Sequence, residues 1–309
     1  MKQKVLVAVG DYPYSKHAVK YLAKLSFAAT DLTYTLFSVQ AAVPELLVEA
    51  AKKDPKAKAE IAQLVHENRE AVWEILLNVK EVMIQEGILE SRVEAVIEPM
   101  QVGAAKDILN WGEKHGHDAI IIARMGQTPS WDFSIGTIPA KVVNHGLEIP
   151  VWVVAGESTS TKILLAVDGS QNSIRAVDHL VHMVGANPDI SITLFHVIPY
   201  LRHYYSIDVE RSRAHLQLVM HREDNRRMEG FYEKAYKRFN IAGLKTRQIN
   251  TTTCRRSSDI STAIYGEAKA EQYGTVILGR RGERGAFFSG QIARRLVDTL
   301  EDQTLCIVP

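Results

Sequence analysis

The chain is one unit written twice, and this repeat constrains its fold more than any other feature. KVLVAVGDYPYSKHAVKYL (Lys4 to Leu22) aligns without a gap on KILLAVDGSQNSIRAVDHL (Lys162 to Leu180). TYTLFSV (Thr33 to Val39) falls on SITLFHV (Ser191 to Val197) in the same register. A third match sets DAIIIARMGQTPSWDFSIGTIPAKVV (Asp118 to Val143) against GTVILGRRGERGAFFSGQIARRLV (Gly274 to Val297), where the second copy has the shorter loop. The period is far longer than that of a solenoid, so two homologous domains are expected rather than an array. GESTST (Gly156 to Thr161) reads as the linker, which divides the chain into domains 1–156 and 157–309.

Within each copy, short apolar runs alternate with longer helical patterns. The runs lie near 3–9, 32–39, 92–97, 118–123 and 150–154, then near 162–167, 190–197, 246–251, 275–279 and 304–308. Between them come residues at helical spacing, such as Ala18, Leu22, Leu25 and Ala29, or Val177, Leu180, Val181 and Val184. The longest helices run through Val72, Ile75, Leu76, Val79 and Val82, and through Met228, Phe231, Tyr232, Ala235 and Phe239. Val/Ile/Leu runs without alternation suit strands buried on both faces of a parallel sheet. The predicted fold is therefore α/β, with two tandem doubly wound, Rossmann-like domains and right-handed crossovers.

Composition narrows the function. With 46% apolar and 24% charged residues, 309 residues can bury two cores. A net charge of +1 gives no general attraction to nucleic acid or anionic lipid. No stretch approaches the roughly 18 apolar residues of a membrane span, and Met1 leads straight into a strand-like run. Cys254 and Cys306 lie far apart without metal-ligand spacing, so a reducing cytoplasm is the expected setting.

Ligands of doubly wound sheets bind beyond the carboxyl ends of the strands, where strand order reverses. The glycine segments after the fourth strand of each copy fit that address. Glycines let backbone N–H groups approach an anion, and the following helix adds its positive end. In the first copy this helix would open at Gly136-Thr137-Ile138-Pro139, with Thr137 as cap and phosphate-binding hydroxyl. The segment is neither a Walker A loop, which needs GxxxxGK[ST], nor the dinucleotide fingerprint, which follows the first strand. Glycines at such a corner can also be turn residues only.

The spacing G-x2-G-x9-G-[ST] after the fourth strand, with VAVDGS closing the first, resembles the universal stress protein family over essentially the whole chain. The resemblance implies a five-stranded parallel sheet in each of two domains. It also implies a site for ATP or AMP, with or without Mg2+, although some members of the family bind no nucleotide. Carried over residue by residue, neither copy is complete. The first copy keeps the spacing through Gly126, Gly136 and Thr137 but has Ala123 where a glycine is expected, and its acidic residue, Asp11, is displaced by one. The second keeps Asp168, Gly169, Gly279 and Gly282, then has seven residues before Gly290 instead of nine, and Gln291 in place of the hydroxyl. Val39 and Val197 map to the valine whose backbone meets adenine. The adenosine half is thus better kept in the second copy and the phosphate half in the first.

Arg280, Arg281 and Arg284 could offset the shortened loop, because guanidinium forks grip phosphate oxygens; solvated or interface charges are the plainer reading. The resemblance also implies pairing through the last strands, Trp152–Val154 and Cys306–Val308, within one chain or between chains. An intrachain pseudo-dimer is expected, and a homodimer of it.

Other residues carry less. His179 and His182 share a helix face but lack a third ligand. HREDNRR (His221 to Arg227) reads as the solvated face of a long helix. Tyr200, His203, Tyr204 and Tyr205 could wall a pocket or simply fold over the sheet. Ser170 and Ser173 lack an evident base, and no carboxylate pair is arranged for magnesium. The sequence thus points to a nucleotide-binding stress or regulatory protein. Its alternatives are an interaction scaffold with degenerate sites and a slow ATPase in which Asp168 or Asp11 matters.

Overall fold

The computed structural model describes residues 3–10, 12–124, 141–142, 148–155, 160–201, 213–255, 259–280, 291–300 and 302–309. The first half places β1 (Gln3–Ala8), α1 (Tyr12–Ser26), β2 (Leu32–Gln40), α2 (Glu45–Ala51), α3 (Pro55–Gln85), β3 (Val93–Pro99), α4 (Ala104–Lys114), β4 (Ala119–Ala123) and β5 (Val151–Val154) in that order. The second half follows with β6 (Lys162–Val167), α5 (Gln171–Val184), β7 (Ser191–Val197), α6 (Ala214–Ile241), β8 (Ile249–Cys254), α7 (Ile260–Ala270), β9 (Thr275–Gly279), α8 (Gln291–Thr299) and β10 (Thr304–Val308).

All ten strands join one sheet in the order β3-β2-β1-β4-β5-β10-β9-β6-β7-β8. Among the described residues pairing is parallel within each half, and the one antiparallel seam is β5 against β10. Each half runs outward from its first strand, then returns to the other side of it. The reversal lies between β1 and β4 and between β6 and β9, which fixes where a ligand crevice would open. The strands match the expected runs with one shift: β8 begins at Ile249, not near 246. Thr246–Gln248 forms a 3-10 turn instead. There Gln248 donates through Nε2 to the carbonyls of Asn187 and Ile190 and accepts from the Lys245 N–H, which pins the approach to the strand.

Alternation along the strands sorts the core into two layers that continue across both halves. Val5, Val7, Trp152, Val154, Ile163, Leu165, Cys306 and Val308 face α1, α3, α5 and α6. Leu6, Ala8, Val151, Val153, Leu164, Leu305 and Ile307 face α4, α7 and α8. Every residue of β5 and β10 is buried, as expected of parallel-type strands covered on both sides.

At the seam, Val151, Trp152 and Val153 stand opposite Ile307, Cys306 and Leu305. The expected meeting of the two last strands therefore occurs within the chain. Tyr21 and His179, which occupy the same place in the repeat, both reach across it. The Tyr21 hydroxyl lies 2.7 Å from Thr275 Oγ1, and the Trp152 indole N–H donates to His179 Nε2 at 2.8 Å. Burial holds the His179 imidazole down to about 3, with the neighbouring His182 adding to the effect. It is therefore neutral near pH 7 and keeps the lone pair that Trp152 needs.

The helix ends also interlock. Asn187 Nδ2 donates to the carbonyls of Lys24 (3.1 Å) and Leu25 (3.0 Å), satisfying groups left open at the end of α1. Gly185, at φ +55, lets this approach happen: a Cβ there would meet the Ala28 carbonyl oxygen at 2.8 Å. On the opposite face Arg124 donates to the Val297 carbonyl in the last turn of α8. Among the described residues, no helix is long and apolar enough to cross a membrane.

Candidate functional site

The carboxyl ends of β6, β7 and β9 gather the residues expected for the adenosine half of a site. Val167 closes β6, and the chain turns at Asp168-Gly169-Ser170 into α5. Asp168 is partly buried and organises this turn. Its Oδ1 accepts from the Ser173 hydroxyl at 2.7 Å and from the Ser170 N–H at 3.0 Å, while its own N–H donates to Ser173 Oγ at 3.0 Å. Ser170 caps α5 by accepting from the Ser173 N–H at 3.3 Å. One carboxylate oxygen thus builds the turn, and Oδ2 is the atom through which Asp168 can meet a ligand hydroxyl or amine.

Gly169 has φ +74, a conformation that disfavours a side chain, and a Cβ there would stand 2.8 Å from Arg227 Cγ. Gly279, the last residue of β9, faces the first turn of α5 so closely that a Cβ would stand 2.9 Å from Asn172 Cβ. Both glycines are therefore required by the fold itself. Arg280 follows with its N–H donating to the Val308 carbonyl at 2.6 Å, so β9 and β10 stay paired up to the carboxyl end of the second half's strands. Val197 ends β7 opposite Cys254 and is partly buried.

The first half builds the same corner with different chemistry. The Gly10 N–H donates to Ser15 Oγ at 3.1 Å, as Asp168 does to Ser173, so the buried serine is common to both. No carboxylate stands at Gly10, where a Cβ would meet nothing within 4 Å. Val39 pairs with Glu98 near the end of β2, and the Arg124 N–H repeats the contact of Arg280 by bonding to the Val154 carbonyl at 2.7 Å. Asp11, Gly126, Gly136, Thr137, Gly282 and Gly290 lie outside the described residues, as do Arg281, Arg284, His203, Tyr204, Tyr205 and the side chain of Gln291. The structure thus brings Asp168, Gly169, Val197, Gly279 and Arg280 to one end of one sheet, with Gln291 opening α8 in the same half.

Sequence reasoning missed a buried polar chain beside this turn. His196, on β7, sets Nδ1 at 3.0 Å from the Val167 carbonyl and Nε2 at 2.9 Å from Asp224 Oδ2. Asp224 Oδ1 accepts from Arg227 at 3.2 Å. Asp224 is only 2% exposed, which corrects the reading of HREDNRR as a solvated face. The exposed part of that stretch is Arg222, Glu223, Asn225 and Arg226, with Glu223 and Arg226 paired at its surface. A signal was present: Asp224 lies one helical turn before Met228, in line with the apolar stripe through Phe231 and Ala235.

The remaining candidates resolve simply. His179 is the acceptor for Trp152. Tyr200 donates to the Arg255 carbonyl at 2.7 Å and stacks edgewise on His221. Neither nitrogen of His196 meets Ser170 or Ser173; both are engaged with Val167 and Asp224. No cluster of three or more metal-ligating side chains occurs among the described residues.

A doubly wound sheet with its polar corner at the strand-order reversal, duplicated and joined through the last strands, defines a tandem protein of the doubly wound α/β class. The universal stress protein family model matches the chain twice, over residues 1–155 and 159–304, and the chain belongs to that family. Among solved structures it is similar to a universal stress protein from Archaeoglobus fulgidus, at 15% identity and TM-score 0.61, covering 100% of this chain and 98% of that one. A protein of unknown function from Pseudomonas aeruginosa is also similar, at 15% identity and TM-score 0.53, over 99% of this chain and 92% of that one. A search of curated proteins finds no significant match.

Proposed function

We propose that this chain is a nucleotide-responsive stress or regulatory protein of the cytoplasm that binds ATP or AMP, with the second domain as the adenosine-recognising half. The observation that carries the reading is Asp168. It stands at the carboxyl end of β6, beside the strand-order reversal, with one oxygen fixed by Ser170 and Ser173 and the other left for a ligand. The residues fit an adenine nucleotide in kind. A carboxylate suits ribose hydroxyls, the backbone at Val197 suits a base edge, and Arg280 with the start of α8 suits phosphate. Any regulatory output must come from a different affinity of the nucleotide for two conformations or assemblies. Because β5 and β10 are paired with each other, a homodimer would have to form through another surface.

Calorimetric titration of the full chain with ATP and with AMP tests this reading. Saturable binding that is lost on changing Asp168 to Ala is the expected result. Absence of binding up to millimolar nucleotide would overturn it.

A second reading, an interaction scaffold, is favoured by one specific observation. The glycine character of Gly169 and Gly279 is fully accounted for by Arg227 and Asn172, without any phosphate. Nucleotide retained through purification, seen as excess absorbance near 260 nm, would count against it.

A further inference from the structure

The buried chain Val167–His196–Asp224–Arg227 links three elements at the adenosine end of the second domain. His196 holds the last carbonyl of β6 from β7. Asp224 holds His196 from α6. Arg227, one turn further along α6, bonds Asp224 and lays its aliphatic stem across Gly169. The loop from Val167 to Gly169 is therefore gripped at both ends by the same relay, while Ser173 fixes Asp168 from the other side.

Both ring nitrogens of His196 are engaged with oxygen, the Val167 carbonyl on one side and the Asp224 carboxylate on the other, so the ring is held in one orientation between β6 and α6.

This device belongs to one half only. The repeat sets Ser38 at the place of His196. Counting back from Gly87 and Gly243, which follow the two long helices in the same left-handed conformation, sets Asn68 and Ala71 at the places of Asp224 and Arg227. In the first half the corresponding stretch of α3 is exposed: Asn68 and Ala71 both face solvent.

We propose that His196, Asp224 and Arg227 form a positioning relay that fixes the Val167–Ser170 loop of the second domain, so that adenine-nucleotide affinity in that domain, and not in the first, depends on α6. The proposal rests on the nucleotide reading above for its functional half, but its structural half is measurable without any nucleotide. Arg227 and Asp224 are positioning residues here. The ligand-facing group is Asp168.

The test uses the full-length protein as wild type, Arg227→Met, Arg227→Lys and Asp224→Asn. Arg227→Met keeps the stem over Gly169 and removes the guanidinium; Arg227→Lys keeps a cation that can still reach Asp224. Amide exchange of residues 168–173 is followed without nucleotide, with Gly10, Tyr12, Tyr14 and Ser15 of the first half as internal reference, and ATP and AMP affinities are measured by calorimetry. In Arg227→Met and Asp224→Asn, exchange at Ser170 and Ser173 is expected to rise about tenfold, as when a charged hydrogen bond loses one partner, with the first half unchanged. Nucleotide affinity should fall by a similar factor, and Arg227→Lys should restore most of both.

Exchange within about twofold of wild type in Arg227→Met would overturn the relay. So would acceleration spread evenly over the whole second domain, which would mean general destabilisation. Should Asp224→Asn fail to fold, the two Arg227 variants, whose side chain is partly exposed, still decide the matter. Wild-type protein that binds neither nucleotide, with exchange responding as described, would sink the nucleotide reading and leave the relay standing.

Discussion

The two halves share a backbone plan and differ in what holds the loop after their first strand. In the second half a carboxylate, two serines and a buried charged relay fix that loop from both sides. In the first, a serine grips Gly10, and the long helix offers Asn68 and Ala71 where the relay would be. Duplicated sequence preserves the strands and helices because each is set by a local pattern. It preserves a site only where separate elements each keep their contribution. Among the described residues the second half makes contacts that the first does not, and the seam between them is asymmetric in the same way. Trp152 from one half stands against Cys306 from the other.

The largest expected effect tests that seam. Trp152, on β5, is fully buried at the seam with β10 and donates to His179. Trp152→Ala should cost about 3–5 kcal/mol in chemical denaturation, the range for deleting a large buried aromatic. Cys306→Ala, the change on its partner across the seam, should cost far less, because it deletes a single buried atom. Equal costs would show that the seam is symmetric in energy if not in shape.

The loops come next. Gly169→Ala places a Cβ into Arg227 at a residue with φ +74, and about 2 kcal/mol of destabilisation is expected from backbone strain alone. Gly10→Ala meets open space, and should be neutral or stabilising by up to about 1 kcal/mol through the unfolded chain. Thermal melts of the two variants make the comparison directly. A Gly10→Ala protein as unstable as Gly169→Ala would remove the distinction drawn between the halves.

The last effect, the smallest for a single step of one pH unit, concerns pH. The His179 imidazole is held to about 3 in the folded chain, against an ordinary 6.5 in the unfolded one. Below 6.5 the unfolded state therefore binds a proton that the folded state refuses. Stability from this group is complete above that pH and falls as pH drops toward 3, by at most about 1.4 kcal/mol per pH unit, and by less to the extent that water reaches the ring. His179→Gln offers Trp152 an acceptor that does not titrate. Denaturation midpoints between pH 4 and 7 should show a flatter slope in this variant, and an unchanged slope would show that His179 does not carry the dependence.

Much of this was legible before any coordinates. The strands were visible as apolar runs, and the inner ones, buried on both faces, need no alternation and stand out by composition. The exception, β8, is instructive. Its residues INTTTC are largely polar, and its start is fixed by Gln248 bonding to Asn187 and Ile190, which are distant in sequence. Asp168 and Ser173 were legible as loop residues, but not that each holds the other. Asp224 was misread because a charged residue inside a charged run looks solvated unless its place on the apolar stripe is weighed first. Gly279 was legible as a glycine at a corner, whereas the neighbour that requires it, Asn172, comes from another element.

By itself, then, the sequence determined that there are two α/β domains of one family and where their strands and most of their helices lie, and it singled out one corner of each as a candidate site. Those features follow from periodicity and repeat, which are properties of neighbouring residues. Only the tertiary structure decided that the ten strands form a single sheet through β5 and β10, that Tyr21 and His179 cross the seam, and that His196, Asp224 and Arg227 brace one loop. Each of these depends on residues far apart in the chain meeting at hydrogen-bonding distance. Such meetings are set by the packing of whole elements, and no local pattern encodes them.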